Sequence, residues 1–269
     1  MAHETGVYST CVFTGTSLLR GREWSPTDRS VLADADVWQA ATQDSCARHD
    51  VERRVVEVTA SLIDQGIGQY SQCVFVVGDT TEPSPDTPSS TSDLPDGKEW
   101  VGTDSVELPE ADVWQGAGGD NYGRHDIGRR IFRVTCTVIE STTGPMIVSG
   151  QVGAFYGYVS NEPGAERYVH FSAVVESVVA RVPKNKQCET TIEIRSNGLI
   201  EWVVNGGGPA AIVAGATGTF TGTYRTGKTI SFPGTIREVV FRCPKNKQNE
   251  TQVIIESNGT LSFVPTPAS

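Results

Sequence analysis

The chain has 269 residues, 20% of them charged and 38% hydrophobic, which excludes wholesale disorder and predicts about two domains' worth of folded core. No apolar run reaches the ~18 residues of a membrane-spanning helix, so membrane insertion is not expected. With 22 Lys and Arg against 32 Asp and Glu, the net charge of -10 opposes general binding to nucleic-acid phosphates.

The charge is uneven along the chain. Residues 1–160 hold 11 basic and 23 acidic side chains, and residues 161–269 hold 11 and 9. Such an acidic half suits solubility, or docking on a basic partner surface. The start, Met-Ala-His-Glu-Thr-Gly, has neither a basic stretch nor an apolar core. A Sec signal is therefore not expected, and folding in a cytoplasm is.

Two duplications organise the chain. Residues 21–59 match residues 97–135 at a constant offset of 76, with 20 of 39 positions identical. Trp24/Trp100, Asp28/Asp104, Trp38/Trp114 and the Arg-His-Asp triplets at 48–50 and 124–126 are among the pairs. Residues 178–198 match residues 239–259 at an offset of 61, including Pro-Lys-Asn-Lys-Gln and Ser-Asn-Gly. The expected order is A–A′–B–B′: unit A over 1–78, a linker over 79–96, A′ over 97–158, B over 159–205 and B′ over 206–269. The linker has four Pro among Ser, Thr and Asp, and cannot bury surface.

In chain order, Val55–Ile63 and Tyr70–Val77 read as paired strands of unit A, because β-branched residues dominate. Ala-Asp-Val-Trp-Gln reads as one helical turn or a loop. In A′, Arg130–Glu140 alternates Phe132, Val134, Cys136 and Val138, the period of a strand. Its expected partner is Met146–Tyr158, turning at Thr142–Pro145. In B, Val174–Val182 reads as a strand ended by Pro183, and Ile236–Cys243 is its equivalent in B′. Asn197-Gly198 and Asn258-Gly259 are predicted type I′ turns of β-hairpins. The fold class is all-β, in tandem duplicated small sandwiches or barrels.

Chemistry-bearing patterns are sparse. The six cysteines show no C-x-x-C spacing and the closest two are 27 apart, so no metal site is expected. They read as small buried hydrophobes, or as thiols crosslinking neighbours after release from a reducing cytoplasm. The Arg-His-Asp triplets lack a consistently paired nucleophile: Cys46 matches Tyr122 and Ser45 matches Asn121. They read as structural networks rather than catalytic groups. No P-loop, dinucleotide fingerprint, H-E-x-x-H or G-x-S-x-G is present, so neither a catalytic residue nor a cofactor is assigned. The binding candidates are Trp38 and Trp114, which like Trp24 and Trp100 read as core or subunit-interface anchors or as platforms for stacking on a sugar, Trp202, the ring whose change to Ala would test glycan binding, and the loop lysines Lys184, Lys186, Lys245 and Lys247.

The segments Val178–Trp202 and Val239–Phe263 carry a strand ending near Pro, a polar loop, then T-x-I-x-I-x-S-N-G or its variant. This pattern resembles the β-sandwich modules of fibre, collar and receptor-binding proteins of tailed bacteriophages. The resemblance implies a virion structural protein assembled in the host cytoplasm, a homo-oligomer and often a trimer. Its partners would be other virion proteins, copies of itself and a host surface glycan. A carbohydrate-binding bacterial adhesin and a polysaccharide depolymerase are the alternatives, the latter needing paired carboxylates in a groove.

Overall fold

Alternation of buried apolar and exposed polar residues makes every regular element described in this computed structural model a β-strand. In Arg130–Ile139, Phe132, Val134, Cys136 and Val138 are buried while Arg133 and Thr135 face out. The structure describes residues 10–13, 16–17, 21–39, 45–67, 73–78, 97–115, 121–139, 147–160, 167–204, 212–225, 228–244 and 248–265. The expected linker 79–96, the turn 142–145 and Lys245 and Lys247 lie outside these residues.

The strands are β1 (Thr10–Phe13), β2 (Thr16–Ser17), β3 (Gly21–Gln39), β4 (Ser45–Ile67) and β5 (Cys73–Val77). They continue as β6 (Gly97–Val106), β7 (Glu110–Gln115), β8 (Asn121–His125), β9 (Arg130–Ile139), β10 (Val152–Ser160) and β11 (Arg167–Arg181). The rest are β12 (Glu189–Val204), β13 (Thr217–Arg225), β14 (Lys228–Pro244), β15 (Gln248–Ser257) and β16 (Ser262–Pro265). One hydrogen-bonded path runs β5-β10-β11-β12-β9-β6-β14-β15-β4-β8-β7, almost wholly antiparallel. This ladder joins A with A′, A′ with B, and B′ with both A and A′.

Several local expectations are corrected. Ala-Asp-Val-Trp-Gln is strand in both copies, at the ends of β3 and β7. β9 pairs with β6 and β12, not with residues 146–158; that segment supplies β10, which pairs with β11 and β5. Likewise β4 pairs with β3 and β15 rather than β5. Neither Asn-Gly makes a hairpin. Ser196-Asn197-Gly198 lies inside β12, and both flanks pair with β11 across a register shift at Phe171/Ala173. In the sister copy Asn258-Gly259 separates β15 from β16, and both pair with β14. A type I′ turn needs positive φ at both central residues; Gly259 has φ 145° and neither asparagine is positive. The true β11–β12 hairpin turns at Lys184-Asn185, where Asn185 takes φ 61°.

The pairings repeat. β5, β10, β11, β12, β9 and β6 follow one another as β1, β13, β14, β15, β4 and β3 do. The registers agree: Cys73 faces Gly157 and Cys11 faces Gly222; Ile192 faces Cys136 and Val253 faces Ala60. Residues 73–204 thus form one module, inserted between the halves 10–67 and 212–265 of a second module with the same strand order.

Each module packs a Trp from its A strand over a Gly. The Trp24 ring lies over Gly222, where a Cβ would sit 2.6 Å from it, beside Phe220 at 5.7 Å. Trp100 lies over Gly157, where a Cβ would sit 3.0 Å away, beside Phe155 at 6.1 Å. The two modules share one core in which Phe132 touches Phe171 and Phe241.

Candidate assembly interface

The modules are joined where β6 of the inserted module lies along β14 of the other. Val240 opposes Thr103, Phe241 opposes Gly102 and Cys243 opposes Trp100. This contact is dry: Trp100, Asp104, Phe241 and Cys243 are all buried. Burying Asp104 demands partners, because an unpaired carboxylate in the interior is strongly unfavourable. Arg130 supplies two hydrogen bonds, at 2.8 and 2.6 Å, and the Ala214 N–H of the other module a third at 3.0 Å.

A second clamp lies beside it. The His125 N–H donates to Asn258 Oδ1 at 2.9 Å, and Asn258 Nδ2 donates back to the His125 carbonyl at 3.3 Å. The His125 ring is buried, with Nε2 3.1 Å from Glu256 Oε1. That contact does most to hold the Glu256 carboxyl below its ordinary value; burial opposes it, and Arg237 at 3.0 Å assists. The second Arg-His-Asp triplet therefore belongs to an inter-module network. The side chains of the first triplet lie outside the described residues, though its backbone continues β4 opposite Ala33, Asp34 and Asp36.

Several repeat-equivalents of these junction residues face solvent. Val182, equivalent to Cys243, is 74% exposed, and Val179, equivalent to Val240, is 60% exposed. Ala180 and Asp28 are exposed, against buried Phe241 and Asp104. Asp28 keeps its ion pair with Arg54, whose Nε donates at 2.7 Å. Ser149 and Asn197, equivalents of Ala214 and Asn258, are exposed too. Among the described residues, β3 pairs with β4 alone, and residues 177–181 of β11 pair only with β12.

The sequence candidates fall in different places. Lys184 and Lys186 are exposed on the β11–β12 turn. Trp38 and Trp114 lie in β3 and β7, with side chains outside the description. Trp202 is half-buried against Phe241 at 4.7 Å and Phe132 at 6.3 Å, so its ring packs on the core. Cys11, Cys73, Cys136 and Cys243 are buried, which removes them as crosslinkers between copies; Cys188 is half-exposed. Burial raises the Cys11 thiol to about 11, and the Cys73 contact at 3.4 Å, with burial, holds Cys136 up as well.

Two further repeats were missed. Cys11-Val12-Phe13 matches Cys73-Val74-Phe75, and Ile147-Val148-x-Gly150-x-x-Gly153-x-Phe155-x-Gly157 matches the pattern from Ile212 to Gly222. The paired Cys-Val-Phe and the shared glycine spacing were the available signals.

An open groove of about 420 Å³ crosses β3, β4, β15 and β14, lined by Glu23, Arg242, Glu250 and uncharged neighbours. No cluster of His, Cys, Asp and Glu able to hold a metal ion occurs among the described residues. No protein-family model matches the chain, and no curated protein matches it.

Proposed function

We propose that this chain is a structural component of a tailed-bacteriophage particle, in capsid decoration or in a head, collar or tail fibre, acting by binding and assembly. The carrying observation is the contrast between one buried module junction and the exposed edges equivalent to it. Exposed strand edges with apolar side chains invite pairing with another chain. The resemblance of Val178–Trp202 and Val239–Phe263 to phage β-modules supplies the class of assembly.

Within the acidic A units, β4, β6 and β9 are interior strands of the sheet and do not supply the docking edge. Docking falls instead to β3, to the turn at residues 147–151 and to β11. A glycan platform at Trp202 would need an open ring face, and Phe241 and Phe132 pack against that ring.

Co-sedimentation tests the reading. Labelled chain added during particle assembly is expected to band with intact particles and to survive a salt wash. A chain that never accompanies particles overturns it.

A further inference from the structure

We propose that a second copy of this chain docks head-to-tail, with residues 23–29 of β3 of one copy pairing with residues 177–183 of the next, the end of β11 and the two residues that follow it. The contact repeats the β6·β14 junction already made once inside each chain. It deepens the assembly reading and rests on it only in requiring self-adhesive surfaces.

The register follows from the repeat offsets of 76 and 61. Val240 opposite Thr103 becomes Val179 opposite Thr27, and Cys243 opposite Trp100 becomes Val182 opposite Trp24. The bulge that shapes this edge is present in both modules, at Ile236/Glu238 and at Val175/Ser177. Both edges are long enough and neither is paired on that side among the described residues.

Three further features fit the same occupant. Asp28 is presented by Arg54 as Asp104 is by Arg130. In the made junction Asp104 also takes the Ala214 N–H from a turn with Gly215 at φ 86°. The inserted module carries the same turn, with Gly150 at φ 83° and Gly150 N–H to Val175 O matching Gly215 N–H to Ile236 O. Its Ser149 is exposed, so the N–H equivalent to that of Ala214 is presented at the edge where Asp28 of the next copy would arrive. Asn197 is likewise exposed, ready to clamp the backbone at His49 as Asn258 clamps His125. Charge agrees: Glu23 would lie diagonal to Arg181, as Glu99 lies to Arg242, a spacing that long side chains bridge across strands.

The two edges are not identical to the made junction: Ser25, Pro26, Arg29, Ser177, Ala180 and Val182 replace Val101, Gly102, Ser105, Glu238, Phe241 and Cys243. Pro26 stands where the junction has Gly102, and proline has no N–H to donate. It removes at most one bond from the ladder, and its place on an edge strand is where proline is tolerated. Because donor edge and acceptor edge differ, the contact is heterologous and propagates from copy to copy, closing into a ring where the rotation per step allows.

The test combines mass and crosslinking on the full chain. Wild type is expected to sediment as an oligomer, and Val182→Lys as a single folded chain, since Val182 is 74% exposed within one copy. Directly opposed residues in an antiparallel pair have Cα atoms about 4.5–5.5 Å apart, within the span of a disulfide. In a Cys46→Ser, Cys188→Ser background, Thr27→Cys and Val179→Cys chains should each stay monomeric on non-reducing gels. Mixed and oxidised, they should give one crosslinked dimer, and the double variant a ladder. A monomeric wild type, a Val182→Lys oligomer equal to wild type, or an uncrosslinked mixture would overturn the proposal. Wild-type oligomers that ignore particles would instead sink the virion reading and leave this one standing.

Discussion

Trp100 and Trp24 hold the same position in two modules of the same strand order, yet one lies in a closed junction and the other beside an open edge. Trp100 is 1% exposed and its Nε1 reaches the Tyr158 carbonyl at 3.3 Å, while Trp24 is only partly covered. The same holds for Asp104 against Asp28, and for Cys243 against Val182. Burial here is set by whether a second module lies against the strand, not by the residue's own module. An internal repeat thus shows equivalent residues buried where a second module lies against them and exposed where none does.

Sister substitutions should break this comparison most visibly at the tryptophans. Trp100→Ala is expected to cost about 3–5 kcal/mol, the range for emptying a large buried aromatic site. Trp24→Ala should cost clearly less in the isolated chain, and urea unfolding monitored by circular dichroism measures both. Equal losses would mean the two edges are not as different as their exposures say.

Asp104→Ala comes next. It strands a partly buried Arg130 and the Ala214 N–H, for a loss of about 2–4 kcal/mol. Asp28→Ala removes a solvent-exposed ion pair and should cost less than about 1 kcal/mol. Smaller again, Asn258→Ala should lose about 1–2 kcal/mol with its bonds to His125 and Thr235, while Asn197→Ala is expected to be near neutral below the assembly concentration.

The modules also differ on the opposite face of β10–β11, and acid sharpens that difference. Tyr156, Tyr158, Tyr168 and His170 are buried there, where the other module has Thr221, Thr223, Thr229 and Ser231. Burial lowers the His170 pKa, with Glu201 partly opposing. Its folded value is below the unfolded 6.5, so its contribution is complete above 6.5 and is lost as pH falls through the folded value. Glu256 follows the same sign from 4.5 downward. Unfolding midpoints measured from pH 7.5 to 5.5, a range chosen around the roughly 6.5 of free histidine, should fall for wild type. They should fall less for His170→Phe, and an unchanged slope would remove His170 as the cause.

Strand character was legible wherever apolar residues alternate, as in β9, where Phe132, Val134, Cys136 and Val138 all turned inward. The two long repeats were legible because side chains at fixed offsets coincide. The short Cys-Val-Phe and glycine-spaced repeats were not, since three or six coincident residues carry little weight until their strands are seen in one register. Asn258 misled: its dipeptide matches a hairpin turn, but its amide is used to hold the backbone of another module. The module junction was illegible for the same reason, because Val179 and Val240 sit in near-identical local sequence and differ only in what lies beside them.

From its residues alone this protein is committed to β-structure, to inward faces of Val, Ile and Phe, and to repetition, because alternation and turn chemistry are properties of each segment. Which strands pair, that one module is inserted in the sequence of the other, and which edge is left unpaired among the described residues were decided only in three dimensions. Every strand edge offers the same row of N–H and C=O groups, so local sequence cannot choose among partners. The choice falls to contacts between residues far apart in the chain, such as Trp100 with Gly157 and Asp104 with Ala214.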